Sequence, residues 1–163
     1  GYPLLLDLGD RPVVVVGGGP VAARRVLGLL DAGAHVRVVA PALCPQLRDL
    51  HERGEVRWDS RRFAPGDTTG SWLVHVATGD PAVDSAVAAE ARASRIWCVR
   101  ADDATASDAW TPAVVKVDDV VVAVSGGGDP RRATAIRDAV RQGLQDGELP
   151  LRRRRRGAGD HLA

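Results

Sequence analysis

The chain contains no methionine, only two cysteines, and few aromatic side chains, which make up 4% of its residues. Without even a start methionine, the sequence reads as a piece of a longer polypeptide. Cys44 and Cys98 stand too far apart for a CxxC pair or any other metal-ligand spacing. They fit reduced thiols in a cytoplasmic protein rather than a disulfide framework. His35, His51 and His161 form no recognisable metal cluster, and His75, set among apolar residues, reads as a core histidine, so no metal site is expected. No stretch is long and apolar enough to suggest a membrane span, and no signal peptide is visible. The net charge of +1 leaves the body of the chain close to neutral. The strongly basic stretch is the arginine run 152–156. No aromatics interleave with its arginines, so it reads as a solvated linker rather than a nucleic-acid contact.

What the chain does have is glycine in informative places. Residues 13–22 read VVVVGGGPVA, a valine run suited to a strand buried on both faces of a parallel sheet. Gly17, Gly19 and Ala22 then match the G-x-G-x-x-G/A pattern, whose glycines permit a tight turn and close approach of the backbone to a pyrophosphate. Pro20 suits the first position of a helix that continues through Val21. A proline there lacks only an N–H that would have no intrahelical partner, which leaves the following N–H groups and the helix dipole facing an anion. The pattern predicts a dinucleotide site.

Strand-like and helix-like stretches alternate beyond it, as in a βαβ series. HVRVVA (35–40), EVRW (55–58), SWLVHVAT (71–78) and IWCVRA (96–101) read as strands, and Pro81 opens a helix with Val83, Val87 and Ala91 on one face. The expected fold is α/β, a Rossmann-type parallel sheet over residues 1–112, with ligands at the carboxyl ends of the strands. That places residues 17–21, 40–42, 77–80 and 101–103 at the site.

The pattern changes after Pro112. AVVKV and VVVAV, separated by Asp118 and Asp119, read as a β-hairpin. A second glycine cluster follows, in which Asp129 can cap a helix that starts at Pro130 and carries Arg131 and Arg132 in its first turn. Arginine there opposes the helix dipole, so the pair points to an anion cradle rather than to helix stability. Residues 113–148 are expected to form a dimerisation and substrate-binding segment, and 149–163 an Arg-rich linker or tail.

Together, PLLLDLGDRPVVVVGGGPVAARR, WLVHVAT, WCVRADD, the TPA at 111–113 and VAVSGGG leading into RRATAIRDAV resemble the N-terminal module of siroheme synthases, the precorrin-2 dehydrogenase and sirohydrochlorin ferrochelatase family. The resemblance covers roughly residues 3–146. It implies NAD-dependent oxidation of precorrin-2 to sirohydrochlorin, with iron insertion in some members, by a cytoplasmic homodimer. It implies cofactor contacts at Gly17, Gly19, Pro20, Val21, Pro41, Ala42 and Thr78, and a catalytic role for Asp102. Because the tetrapyrrole is a polycarboxylate, Arg100, Ser125, Gly126, Arg131 and Arg132 are its expected contacts. LPLRRRRRGAGDHLA resembles the linker to a fused uroporphyrinogen-III methyltransferase domain.

The sequence departs from the family pattern in places. Ala40 stands where an acid usually binds the adenosine ribose, and Gly79 separates Thr78 from Asp80. No arginine directly follows the second strand to favour a 2′-phosphate, so NAD is the expected cofactor. Gly126 replaces a serine that is phosphorylated in some members. A helical region that many members carry after the dimerisation segment is also missing, which weakens the expectation of chelatase activity. Two further readings stay open at this point: a nucleotide-sensing regulatory domain, and an inactive scaffold for a fused methyltransferase.

Overall fold

The computed structural model describes residues 1–150, so the arginine run and most of the expected tail lie outside the described residues. The chain divides into two compact units, the first Gly1–Trp110 and the second beginning at Thr111.

In the first unit, β1 (Pro12–Val16), α1 (Pro20–Asp31), β2 (His35–Ala40), α2 (Pro45–Glu52), β3 (Arg57–Ser60), β4 (Leu73–Val76), α3 (Pro81–Ala93) and β5 (Trp97–Arg100) follow in order. The strands form one parallel sheet in the order β3-β2-β1-β4-β5. The valine run forms β1 because both of its faces are covered. Val13 and Val15 pack with Val36, Val38 and the apolar faces of α1 and α2, including Val26 and Leu47. Val14 and Val16 face the other way, onto Val74, Val76 and the α3 residues Val87 and Ala91. The helices after β1 and β4 thus lie on opposite faces of the sheet. This opens a crevice between those two strands at their carboxyl ends, the usual ligand position in a doubly wound sheet.

The third strand departs from the expected EVRW and runs two residues later. Glu55 N–H donates to Leu50 O (3.0 Å) and Gly54 N–H to His51 O (2.9 Å), which ties residues 54 and 55 to the end of α2. The strand therefore begins at Arg57 and takes in the polar Asp59 and Ser60, with Asp59 held by Arg37 of β2 at 2.9 Å. No helix links β3 to β4. The irregular connection is instead pinned by Glu90 of α3, whose carboxylate accepts from Gly66 N–H (2.8 Å), Thr68 N–H (2.9 Å) and the Thr68 hydroxyl (2.6 Å).

In the second unit, β6 (Ala113–Val117) and β7 (Val120–Val124) form the expected antiparallel hairpin. Its turn residue Asp118 takes the left-handed conformation, φ 52°. Helix α4 (Pro130–Gln145) packs on the hairpin and helps bury Val115, Ala133 and Leu144.

Candidate functional site

Parallel pairing brings the functional segments of the first unit to one edge of the sheet. Just past the strand ends, Gly17 N–H donates to Val39 O (3.0 Å), Ala77 N–H to Val16 O (2.8 Å) and Ala101 N–H to Val76 O (2.9 Å). A cleft of about 520 Å³ opens there, lined by Gly17, Gly18, Gly19, Pro41, Ala42 and Thr78, together with Cys44, Arg62, Phe63, Asp80 and Val83. Pro20 and Val21 follow the lining glycines as the first turn of α1.

The three glycines meet different demands. Gly17 has φ 125°, and a Cβ on it would stand 2.3 Å from Ala77 O. At Gly18 a Cβ would stand 1.9 Å from Ala42 O, so both positions exclude any side chain through backbone contact. Gly19 has an ordinary φ of −86° as N-cap of α1, and a Cβ there would meet nothing within 4 Å. Neither the fold nor the backbone requires glycine at this position, but a ligand lying against the turn would. The start of α1 has no side-chain cap and no acid in its first turn. By contrast, the first turns of α3 and α4 are capped by Asp80 and Asp129. An uncapped helix N-terminus facing open space at a glycine fits a pyrophosphate.

The rest of the rim is held by local bonds. Cys44 N–H donates to Gly18 O (2.7 Å), which locks the loop carrying Pro41 and Ala42 against the glycine turn. The Thr78 hydroxyl donates to the buried carboxylate of Asp84, and Thr78 N–H donates to the same Oδ1 at 3.2 Å. Asp80 accepts from Ala82 N–H (3.0 Å) and Val83 N–H (3.4 Å), so this carboxylate on the cleft wall is already committed to capping α3.

Asp102 follows the carboxyl end of β5, on a loop folded back on itself. The buried Ser107 hydroxyl oxygen accepts from Arg100 N–H (2.9 Å), and the hydroxyl donates to Asp103 O (3.0 Å). Asp103 accepts from Thr105 N–H at 2.8 Å and is part of the loop's own framework. Asp102 points elsewhere, into a two-pronged pair in which Arg100 Nε donates to Oδ1 (3.0 Å) and Nη2 to Oδ2 (2.6 Å). The hydrogen bond from Arg100 holds the Asp102 pKa below the usual carboxylate value. The remaining Arg100 nitrogen, Nη1, donates to Ser85 Oγ at 3.1 Å. Arg100, expected from sequence to meet substrate carboxylates, is thus engaged with Asp102 and Ser85.

In the second unit, Ser125 is exposed and Gly126 is packed against the first turn of α4, where a Cβ would stand 2.1 Å from Asp129 O. The backbone N–H groups of Arg131 and Arg132 donate to Asp129 Oδ1 at 2.9 and 3.2 Å. The helix-end donors of the expected cradle are therefore already occupied. The Arg131 and Arg132 side chains are exposed and have no hydrogen-bond or ion-pair partner among the described residues.

Sequence reasoning included Gly18 only through the 17–21 stretch, and it did not bring Cys44, Arg62 or Phe63 to the site. Gly18 occupies a variable place in the glycine pattern. The others lie in connections without periodicity, where no spacing could have shown them at the cleft. Among the described residues, no cluster of three His, Cys, Asp or Glu side chains is placed to hold a metal ion, and no helix is long and apolar enough to cross a membrane.

Residues 4–113 match the model of the "Putative NAD(P)-binding" family. A siroheme synthase of Chromobacterium violaceum is 44% identical over 137 residues, 83% of this chain and 29% of that protein. Siroheme synthase 3 of Aeromonas hydrophila is 40% identical over 126 residues, 77% of this chain and 27% of that protein. The chain thus spans less than a third of the length of these relatives. Among solved structures, the precorrin-2 dehydrogenase SirC matches with a TM-score of 0.70 and 26% identity, over 90% of this chain and 71% of that one.

Proposed function

Since the chain belongs to the NAD(P)-binding family whose model it matches, we propose that it oxidises precorrin-2 to sirohydrochlorin with NAD, as the N-terminal module of a siroheme synthase. The carrying observation is the open space at Gly19 before the uncapped start of α1, on the sheet edge that also leads to Asp102. Similarity to siroheme synthases and to a precorrin-2 dehydrogenase supports the choice of substrate.

The oxidation removes a hydride and a proton from the macrocycle. NAD, when bound, accepts the hydride. The Gly17 to Gly19 backbone and the first turn of α1 would hold the pyrophosphate, Pro41 and Ala42 would border the adenosine, and Thr78 borders the cleft on the β4 side. Asp102 takes the proton, and Arg100 keeps its carboxylate ionised and oriented. Arg100 is thereby a positioning residue. Arg131 and Arg132, beside Ser125 and Gly126, supply free guanidinium groups for the acidic tetrapyrrole.

The hairpin also supports a homodimer. Its outward face carries Val114 and Val121, 40% and 43% exposed, and α4 exposes Ile136 to 43%. A two-stranded hairpin has open edges and gains stability when a second copy covers it. We further infer that the chain works joined to, or beside, a uroporphyrinogen-III methyltransferase.

Anaerobic NADH formation on mixing the chain with precorrin-2 and NAD tests the activity, with Asp102→Asn run alongside. Turnover in the wild type, lost in the variant while NAD still binds, is the expected result. Wild-type turnover that survives the substitution would reject Asp102 as the base. A folded, NAD-binding chain without turnover would favour a regulatory or scaffold role. Ferrous iron added to the same assay reads chelatase activity.

A further inference from the structure

We propose that Arg62 sets cofactor specificity: through it, the cleft accepts a 2′-phosphate on the adenosine ribose, so that NADP serves as well as NAD. This rests on the nucleotide reading of the cleft. Sites of this fold usually hold the ribose hydroxyls with an acid after the second strand, and an arginine nearby accommodates a 2′-phosphate. Here β2 ends in Ala40, which is 2% exposed. Its Cβ lies 3.0 Å from where a Cβ on Gly18 would stand, and Pro41 and Ala42 add no charge. Nothing at the end of β2 repels a phosphate.

The neighbouring strand supplies the cation. Ser60, the last residue of β3, pairs with Ala40, so the residues after it emerge at the same sheet edge. Arg61 and Arg37 are neutralised there. Arg61 donates to Asp67 at 2.7 and 2.6 Å and to Asp59 at 3.1 Å, while Arg37 donates to Asp59 at 2.9 Å. Both carboxylates of this corner are thus taken by those two arginines. Arg62 lines the cleft beside Pro41, Ala42 and Phe63, and its guanidinium has no partner among the described residues. Asp80, the carboxylate on the cleft wall, is held by the first turn of α3. An unpaired guanidinium beside a neutral ribose corner is suited to a phosphate monoester, which it can grip with two parallel hydrogen bonds.

Calorimetric titration of the whole chain with ADP and with 2′,5′-ADP tests this without turnover. Wild type should bind 2′,5′-ADP at least as tightly as ADP. Arg62→Ala should weaken 2′,5′-ADP about tenfold or more while leaving ADP within about twofold, the loss expected for one charge-assisted hydrogen bond. In turnover, kcat/KM for NADP should fall in parallel and that for NAD should not. Wild type that discriminates against 2′,5′-ADP, or a variant that affects both ligands alike or neither, would overturn the proposal. Failure of the wild type to bind even ADP would overturn the nucleotide reading and this proposal together. Arg62 is exposed, and an unchanged Tm confirms that the variant folds.

Discussion

Gly18 and Gly19 are adjacent and chemically identical, yet substitution should affect them differently. Gly18→Ala drives a methyl group onto a backbone carbonyl and is expected to destabilise the fold by several kcal/mol or prevent folding, as read by denaturant melting. Gly19→Ala should cost under about 1 kcal/mol, the usual difference at an N-cap, but weaken NAD at least about tenfold in a titration. Arg100 permits an equally specific expectation. Its hydrogen bond lowers the Asp102 pKa, so Arg100→Gln lets that pKa rise, and the acid limb of the kcat profile should move to higher pH. An acid limb that stays in place while kcat falls would give Arg100 a structural role only. The glycine pattern was legible in sequence because its spacing is local, although the carbonyls that exclude a side chain at Gly17 and Gly18 belong to distant residues. The bond of Arg100 to Ser85 and the place of Arg62 on the cleft were not legible, because they depend on how distant segments return to the sheet.

The elements with clear signals were those whose burial matches a simple pattern. β1 and β4 read as apolar runs because both faces are covered, α3 announced itself through Pro81 and its apolar face, and α4 through an Asp-Pro start. β3 was displaced in the sequence reading because its polar end is stabilised by Arg37 on the neighbouring strand, with Arg61 just beyond its own end, and no local propensity records the cross-strand bond. Cys44, half-buried at the N-cap of α2 and on the cleft wall, offers a check on the element that carries it. Maleimide labelling of Cys44 should be slowed by saturating NAD, whereas Cys98 should stay unlabelled in the folded chain. Cys98 is buried, and burial raises its thiol pKa to about 11. Equal labelling rates with and without NAD would place the cofactor elsewhere. At the hairpin, the proposed homodimer predicts that Val121→Lys sediments as a monomer where the wild type sediments as a dimer, because the new ammonium cannot be buried without a partner.

At the scale of the whole molecule, acid sensitivity follows from groups inside the first unit. His75 on β4 is 4% exposed, and burial, assisted by the nearby Arg25 charge, lowers its pKa from 6.5 to about 4. Folding therefore disfavours its protonated form. The unfolded chain binds the extra proton between these values, so stability is full above pH 6.5 and declines as pH falls toward 4. The loss from this residue is at most about 3 kcal/mol. Asp67, held by Arg61 at about 2 instead of 3.8, adds a second decline below pH 4. Thermal melts across this range should show Tm falling below pH 6.5, and His75→Gln should flatten the segment between 6.5 and 4. An unchanged slope in that variant would assign the loss to other groups.

The contact of Gly18 with Ala42 O, and of Gly17 with Ala77 O, is backbone meeting backbone, with no side chain to remodel. A lineage carrying this turn can therefore change those codons only by losing the fold. Cys44 before α2 and the rim residues after β3 meet the cleft through side chains and are open to drift. Inherited variation in this cleft should collect at its edges, leaving the glycine turn fixed while what lies against the far end changes.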